Sequence, residues 1–296
     1  MNIKSYQLKK NPRYGFYQIN PTPTAEEIAK FYTDEFYSGD YKRFNDSSLD
    51  IQLRDRDFYQ GHYSDMTQAF SDILGESLKS KSILDIGCGW GQALLFFRET
   101  GLSCYGFDPA PEAIEYGRKQ GLNVVTAGME EMAVFGDKRF DIVTLLNVLE
   151  HFADPVTVLE EIYKKVLKPG GVLAIDVPNE FNVFQICAKE LHHLGEWWVA
   201  PPGHLNYFSA DSLKKLLEGT GFSVRLVESS FPMELFLLFG DNYVGDGNLG
   251  RQCHERRMAF ENNMRKLGRQ RELRRFYQSL AEQNLGRQVI AYAVRT

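Results

Sequence analysis

Cysteine is scarce in this chain, and the cysteines present stand far apart. No two of Cys88, Cys104, Cys187 and Cys253 form a C-x-x-C pair, so their spacing indicates neither a zinc site nor a disulfide framework. Long apolar runs are also missing, because none approaches the ~20 residues that a membrane-spanning helix needs. The segment Met1–Phe16 mixes Lys, Arg, Asn and Gln, which is not typical of a signal peptide. We therefore expect a soluble, cytoplasmic protein.

A strong charge of one sign and internal repeats are missing as well. The net charge of −5 argues against a general attraction to nucleic acid or to a membrane surface. We find no internal repeat and no low-complexity segment. With 43% hydrophobic residues, a chain of 296 residues can bury a sizeable core as one elaborated domain. We expect neither a nucleic-acid partner nor a membrane partner.

The most informative stretch is residues 83–91, Ile-Leu-Asp-Ile-Gly-Cys-Gly-Trp-Gly. An apolar strand ends there in glycines at alternate positions, just before the helical pattern Gln92–Glu99. Glycines let the backbone turn sharply and approach a ligand closely, with the amides of a helix N-terminus behind them. A dinucleotide fingerprint, G-x-G-x-x-G, would need a third glycine where this chain has Gln92. The stretch therefore predicts a ligand-binding loop of another kind.

Asp85, Gly87, Gly89 and Gly91 resemble motif I of the class I S-adenosylmethionine-dependent methyltransferases. Further elements of that family follow in order between residues 70 and 230. They are a strand Ser103–Phe107 before Asp108, a strand Asn123–Thr126, a strand Phe140–Asn147 before Glu150-His151, a helix Pro155–Val166, and the turn Leu167–Gly171 before a strand Val172–Asp176. The resemblance implies an α/β, Rossmann-like fold with a seven-stranded, mostly parallel sheet and a final antiparallel hairpin.

The resemblance also implies a binding site for S-adenosylmethionine. Asp108 is expected to bind the ribose hydroxyls, and Gly128 and Met129 to lie beside the adenine. A surface role for Asp108 and ordinary packing for Met129 are the alternatives. The expected cofactor-binding residues are Asp85, Gly87, Cys88, Gly89, Gly91, Asp108, Pro109, Gly128, Met129, Asn147 and Glu150.

Two histidines are candidates for a catalytic base. Methyl transfer from a sulfonium releases a neutral thioether, so the enzyme must align the acceptor and, for a hydroxyl, remove a proton. Histidine suits that task near neutral pH. His151 follows strand four, and could instead only shape the floor of the site. His204 opens a block, H-L-x-x-F-S, that is similar to one in ubiquinone-pathway and sugar O-methyltransferases. No metal site is expected.

Substrate specificity is expected to lie outside the core motifs. Residues 1–70 are rich in Tyr and Phe and are predicted to form a cap over the cofactor, with a helix beginning at Thr24–Glu27. The alternative is a helical packing element without ligand contact. Within the core, residues 71–230, the segment 181–203 is predicted to be an aromatic lid. The substrate contacts expected here are Asn179, Trp197 and Tyr207.

A basic insertion, residues 231–287, precedes the last strand, residues 288–296. From Arg251 to Arg275, nine Lys or Arg and three Glu give a local charge of +6. The pattern predicts a loop Gly240–Gly250 followed by helices Gln252–Leu267 and Arg269–Gln283. We expect Arg251, Arg256 or Arg257 to hold an anionic group on the acceptor. A solvated, salt-bridged hairpin and a homodimer contact are the alternatives.

Together these features predict an enzyme that methylates a hydroxyl of a small, anionic metabolite. A sugar, a sugar phosphate, a nucleotide-linked sugar or a precursor of a cell-surface polysaccharide would fit. The alternatives are N-methylation of a small amine and a catalytically silent, cofactor-binding regulatory protein. The intact glycine loop, Asp108 and Glu150-His151 favour an active enzyme.

Overall fold

The computed structural model describes residues 6–24, 27 and 48–296, and its frame is a seven-stranded sheet. The strands of the described residues are β1 Gln7–Lys10, β2 Tyr17–Asn20, β3 Ser82–Ile86, β4 Ser103–Asp108, β5 Asn123–Thr126, β6 Phe140–Leu146, β7 Leu167–Pro178, β8 Asn206–Tyr207, β9 Phe222–Ser229 and β10 Gln288–Arg295. The large sheet has the order β5-β4-β3-β6-β7-β10-β9. The strands from β5 to β7 in this order are parallel to one another, whereas β10 is antiparallel to both β7 and β9. The fold class expected from the sequence is confirmed.

Helices flank this sheet and form the insertion before its last strand. They are α1 Leu49–Arg54, α2 Arg56–Leu74, α3 Gln92–Glu99, α4 Pro111–Lys119, α5 Pro155–Glu161, α6 Val183–Leu191, α7 Ala210–Gly219, α8 Glu234–Leu238, α9 Gly247–Lys266 and α10 Gln270–Glu282. A 3-10 turn spans Leu149–His151, and a π-helical turn, Ile162–Val166, follows α5. Within residues 6–24 and 48–296, no helix combines the length and apolar character needed to cross a membrane.

The two faces of the sheet bury separate hydrophobic clusters. Every residue of β3 is buried, as expected for a parallel strand that is covered on both faces. On one face, α2 packs Phe70 edge-on against Phe97 and Tyr292, with ring centroids 5.9 Å apart in each pair. Full burial of one such phenylalanine stabilises the fold by about 1.5–3 kcal/mol. This packing holds α2 and α3 against one face of the sheet, and the candidate site lies at the carboxyl ends of its parallel strands.

Part of the N-terminal segment packs against the core. Phe16 is buried, with its ring centroid 5.1 Å from that of Phe208. β2 also pairs with β8, which places Tyr17 opposite Tyr207. The predicted helix start has the reciprocal bonds of a capping box between Thr24 and Glu27. The aromatic residues expected between positions 31 and 44 lie outside the described residues, so the covering role of the cap stays a prediction.

The insertion contains the two predicted helices, but the loop before them is shorter than expected. α9 begins at Gly247 because the Asp246 side chain accepts hydrogen bonds from the N–H groups of Asn248 and Leu249. The apolar stretch before it includes the short helix α8. The prediction of a loop over the whole of Gly240–Gly250 was therefore wrong at its end.

Candidate functional site

The glycine loop between β3 and α3 is shaped by both conformation and space. Gly87, Gly89 and Gly91 have φ values of 70°, 47° and 72°, a region that L-residues with side chains rarely adopt. A Cβ at Gly87 would lie 2.6 Å from Val148 Cγ2 and 2.8 Å from Met129 Cε, whereas a Cβ at Gly89 would meet nothing within 4 Å. Side chains thus fill the space beside Gly87, whereas the space beside Gly89 is empty and could receive a ligand.

Asp108 joins this loop to the tip of β4. Its Oδ2 accepts a hydrogen bond from Gly89 N–H at 2.9 Å, and its Oδ1 accepts one from Ala110 N–H at the same distance. The carboxylate is buried and held beside the open side of the loop. Pro109 follows it directly. This geometry fits S-adenosylmethionine, because a carboxylate held in this way can accept hydrogen bonds from ribose hydroxyls; the contact itself stays a prediction.

Asp85 and Cys88 lie beneath the loop rather than at its surface. Thr144 Oγ1 donates a hydrogen bond to Asp85 Oδ1 at 2.7 Å, and burial raises the pKa of Asp85 to about 7. The Cys88 side chain packs in the core against Gly106. Its backbone N–H donates to Phe107 O. In this structure both residues support the shape of the loop, and a direct cofactor contact of either stays a prediction.

Asn147 stands exposed where β6, β7 and β10 meet. It has φ = 56°, a left-handed conformation for which asparagine is enriched. Its N–H donates to Asp176 O at 2.8 Å, and its Oδ1 accepts from Gln288 Nε2 at 2.9 Å. These bonds hold Asn147 at the ligand-binding edge of the sheet. Near it, Met129 adjoins the loop, while the Gly128 N–H donates to Glu131 Oε1 at 2.7 Å.

The structure orients His151 through the lid segment. Nδ1 of His151 lies 2.6 Å from the Gly203 carbonyl oxygen. Because a carbonyl can only accept, Nδ1 carries the proton in this bond, and Nε2 is the nitrogen with acceptor character when the ring is neutral. Burial lowers the pKa of His151. The backbone groups of Gly203 and Asn147 have the opposite, smaller effect and raise it. A neutral imidazole near pH 7 is the form that can accept a proton.

Buried Glu150 and half-buried His204 complete a cluster around His151. The His204 ring meets the His151 ring edge-on at 5.1 Å, and burial lowers the pKa of His204 to about 3. Among the described residues, neither carboxylate oxygen of Glu150 has a hydrogen-bond partner, and burial raises its pKa well above the usual range. Nε2 of His151 is 3.8 Å from Glu150 Oε1. Sequence spacing indicated the pair Glu150-His151 but not that His204 would join it.

This cluster also has the donor atoms of a metal site. One ligand atom each from Glu150, His151 and His204 can be chosen so that all three lie within 4.8 Å of one another. Two imidazoles and a carboxylate are a ligand set that divalent transition metals accept. The spacing of the cysteines indicated no zinc site, and a metal site at these three residues was not expected from the sequence. Burial raises the pKa of Glu150 and so opposes metal binding, since only the carboxylate is a good ligand.

Two of the expected substrate contacts are engaged in structural bonds. Asn179 is fully buried, and its Nδ2 donates to the carbonyl oxygens of Asn284 and Gly286 at 3.2 and 3.1 Å. Tyr207 is also buried, and its hydroxyl donates to His204 O at 3.0 Å. Trp197 is half-buried and meets Trp198 edge-on at 4.7 Å. Substrate contacts of all three stay predictions, and Trp197 is the most accessible of them.

The arginines expected to bind an anion all have carboxylate partners. Arg251 Nη2 lies 2.8 Å from Asp55 Oδ1, and Arg256 Nη1 lies 2.6 Å from Asp241 Oδ2. Arg257 is buried, with its Nε 3.1 Å from Glu261 Oε1. Arg256 and Arg257 do point in different directions, one outward and one inward, as the helical spacing required. All three charges are thus paired with carboxylates, and binding of an anionic group by any of them stays a prediction.

The comparisons with known proteins agree with the fold and the loop. A family model described as a methyltransferase domain matches residues 56–227, more than half of the chain. The chain therefore belongs to this methyltransferase family, and the resemblance to class I S-adenosylmethionine-dependent methyltransferases is confirmed.

Curated relatives match over parts of their length. The chain is 31% identical over 174 residues to a ubiquinone biosynthesis O-methyltransferase of Dinoroseobacter shibae, which covers 53% of this chain and 68% of the relative. It is 36% identical over 107 residues to a tRNA U34 carboxymethyltransferase of Nautilia profundicola, which covers 34% of this chain and 35% of the relative. Several such relatives are matched over less than half of their own length.

One solved structure extends the likeness over most of the chain. The plantazolicin methyltransferase BpumL, in complex with a monoazolic desmethylPZN analog and SAH, aligns with 90% of this chain and 93% of its own. The TM-score is 0.53 and the sequence identity is 18%. At this identity the likeness shows a common fold.

Proposed function

We propose that this protein transfers the methyl group of S-adenosylmethionine to a hydroxyl group of a small molecule. The observation that carries the proposal is the His151 imidazole, which Gly203 orients at the same sheet edge as the glycine loop and whose pKa is lowered by burial. When bound, the cofactor supplies a methyl group that is activated by its sulfonium. The enzyme's own residues must then hold the acceptor in line and take its proton.

Each group at the edge has a separate task in this proposal. The loop Gly87–Gly91 and Asp108 hold the cofactor, and Nε2 of His151 accepts the hydroxyl proton. Burial raises the pKa of Glu150, which disfavours an unpaired negative charge beside the base. His204 packs edge-on against His151 and limits the rotation of its ring. Placement of the base is worth ~10²–10⁴-fold in rate for reactions of this type.

The H-L-x-x-F-S block supports a hydroxyl of a sugar-like molecule or of a quinone precursor as the acceptor. The insertion gives weaker support to an anionic acceptor. The block resembles those of ubiquinone-pathway and sugar O-methyltransferases, and it places His204 beside His151. The anionic acceptor depended on Arg251, Arg256 and Arg257, whose charges are paired with carboxylates. We therefore keep the small-molecule hydroxyl in the proposal and drop the anionic group.

The test is a methyl-transfer assay of the full chain with a panel of acceptors. Thermal shift with S-adenosylhomocysteine first measures cofactor binding, since a ligand at 100 times its Kd stabilises by about 2.7 kcal/mol. Sugars, nucleotide-linked sugars and catechols are then screened for release of S-adenosylhomocysteine. An O-methylated product supports the proposal. An N-methylated product, or cofactor binding without any transfer, would favour the N-methyltransferase or the silent regulatory protein instead.

A further inference from the structure

Two buried glutamates share one arginine beside the candidate site. Arg287 Nη1 lies 3.3 Å from Glu234 Oε1 and 3.9 Å from Glu180 Oε2. Glu234 and Glu180 are 0% and 3% exposed. One guanidinium cannot balance two carboxylates, and burial raises the pKa of Glu180 to about 7. A buried carboxylate without full compensation is unfavourable, so with one guanidinium between two carboxyl groups Glu180 has no cation of its own.

The cluster belongs to the same sheet edge as the candidate base. Glu180 follows the end of β7, and its N–H donates to Phe208 O at 2.7 Å. Arg287 immediately precedes β10, and the next residue, Gln288, donates to Asn147 Oδ1 at 2.9 Å. The Glu180 charge also contributes to the raised pKa of Glu150. The cluster is therefore linked through Gln288 to Asn147, at the same sheet edge as His151.

Hydrogen-bond donors are missing at this cluster, independently of its charge. Gln185 is fully buried; its Nε2 donates to Glu180 Oε2, while its Oε1 has no partner among the described residues. Glu234 Oε2 also lacks a partner within that part of the chain. Buried acceptors are normally satisfied. Two acceptor atoms without donors, beside a carboxyl group 3.9 Å from the shared guanidinium, thus indicate a ligand that donates hydrogen bonds.

We propose that Glu180, Glu234 and Gln185 bind a protonated amino group of the acceptor, next to the hydroxyl that is methylated. An ammonium group brings both the positive charge and three N–H donors. A neutral hydroxyl brings one donor and no charge, and a carboxylate or phosphate would be repelled. This inference rests on the proposed function, because it names the class of acceptor for that reaction.

Three sugars that share the same ring and differ in the charge of one substituent test the inference. Binding of glucosamine, glucose and glucuronate to the full chain, saturated with S-adenosylhomocysteine, is measured by calorimetry at pH 6.5. We expect glucosamine to bind at least tenfold more tightly than the other two. Glu180→Gln and Glu234→Gln should each reduce that preference at least fivefold, while Glu190→Gln, an exposed glutamate on α6, should not change it.

The wild-type comparison needs no variant to fold, so the inference stays testable if Glu234→Gln is unstable. Glucose or glucuronate binding as tightly as glucosamine would overturn it. A preference that persists in both glutamine variants would overturn it as well. S-adenosylhomocysteine binding is measured in the same samples. Its loss would contradict the proposed function, whereas normal binding without a glucosamine preference would remove this inference alone.

Discussion

Nδ1 of His151 donates to the carbonyl oxygen of Gly203 at 2.6 Å. The first residue comes from the turn after β6, and the second ends the segment predicted to be a lid. A backbone acceptor at this distance fixes both the tautomer and the plane of the imidazole. The last residue of this segment therefore orients the candidate base, whereas the lid role of the segment stays a prediction.

Removal of this base should reduce the turnover rate far more than it reduces the affinity for the cofactor. We expect His151→Ala to lower kcat by ~10²–10⁴-fold with nearly unchanged affinity for S-adenosylmethionine. Steady-state kinetics and calorimetry on the same preparation measure the two effects. A small loss that saturating acceptor restores would instead make His151 a positioning residue, and His204 would become the stronger candidate.

The pH dependence follows from the direction of the His151 pKa. Burial holds that pKa below its ordinary value of 6.5, so the neutral, proton-accepting form persists down to that pH. We expect kcat of the wild type to be flat above pH 6.5 and to fall below it. The acidic limb should disappear in the residual activity of His151→Ala. An acidic limb above pH 7 in the wild type would contradict the lowered pKa.

Asp108 should matter for cofactor binding and not for the chemical step. Its carboxylate is fixed by the N–H groups of Gly89 and Ala110, so Asp108→Ala removes both the ribose partner and support for the loop. We expect binding of S-adenosylmethionine to weaken by about 1–3 kcal/mol. Asp137→Ala, an exposed acid in a turn, is the control. Equal affinities for both variants would exclude Asp108 from the site.

The cluster of Glu150, His151 and His204 makes a metal test necessary. Because burial favours the protonated form of Glu150, we expect methyl transfer to survive dialysis against EDTA. Addition of Zn²⁺ or Mn²⁺ should not raise the rate. Activity that EDTA abolishes and one of these cations restores would identify the three residues as metal ligands, and His151 would no longer be available as the base.

Two neighbouring arginines of the insertion differ in burial, so their loss should change the stability of the fold by different amounts. Arg257 is buried against Glu261, whereas Arg256 pairs with Asp241 at the surface. Loss of one partner from a buried pair costs about 3–5 kcal/mol, and loss of a surface pair about 0–1 kcal/mol. We therefore expect Arg257→Ala to lower the free energy of unfolding much more than Arg256→Ala, as measured in urea.

The charge on Glu261 also gives this pair a pH signature. Arg257, Arg265 and His62 surround Glu261 and hold its pKa below the ordinary 4.5. A lowered carboxyl pKa stabilises the fold above the unfolded pKa, and that contribution disappears as the pH falls through the folded one. The stability difference between the wild type and Glu261→Gln should be constant above pH 5 and shrink below 4.5. A difference that grows on acidification would contradict this assignment.

The sheet could be predicted from the sequence because its signals are local. Asn123–Thr126 and Gln92–Glu99 have the predicted bounds, since apolar runs, glycines and caps lie within a few residues of each other. The partners of the arginines could not be predicted in the same way. Asp55 is 196 residues from Arg251, and composition alone cannot show that the two meet.

The same limit applies to the candidate site. The sequence indicated Asp108 and His151 because each follows a strand of a recognisable motif. It did not indicate the Gly203 carbonyl, which has no side chain to mark it, or the cluster of Glu180, Glu234 and Arg287, whose members lie far apart in the sequence. Contacts between distant segments decide these features, and only the folded structure brings them together.

Transfer of a ¹³C-labelled methyl group tests the proposed reaction most directly. The full chain is incubated with [methyl-¹³C]-S-adenosylmethionine and the acceptor found in the screen, and the product is examined by NMR. We predict the label on a hydroxyl oxygen, with a rate that falls ~10²–10⁴-fold in His151→Ala. A label on nitrogen or carbon, or no transfer from a cofactor that binds normally, would contradict the proposed O-methyl transfer.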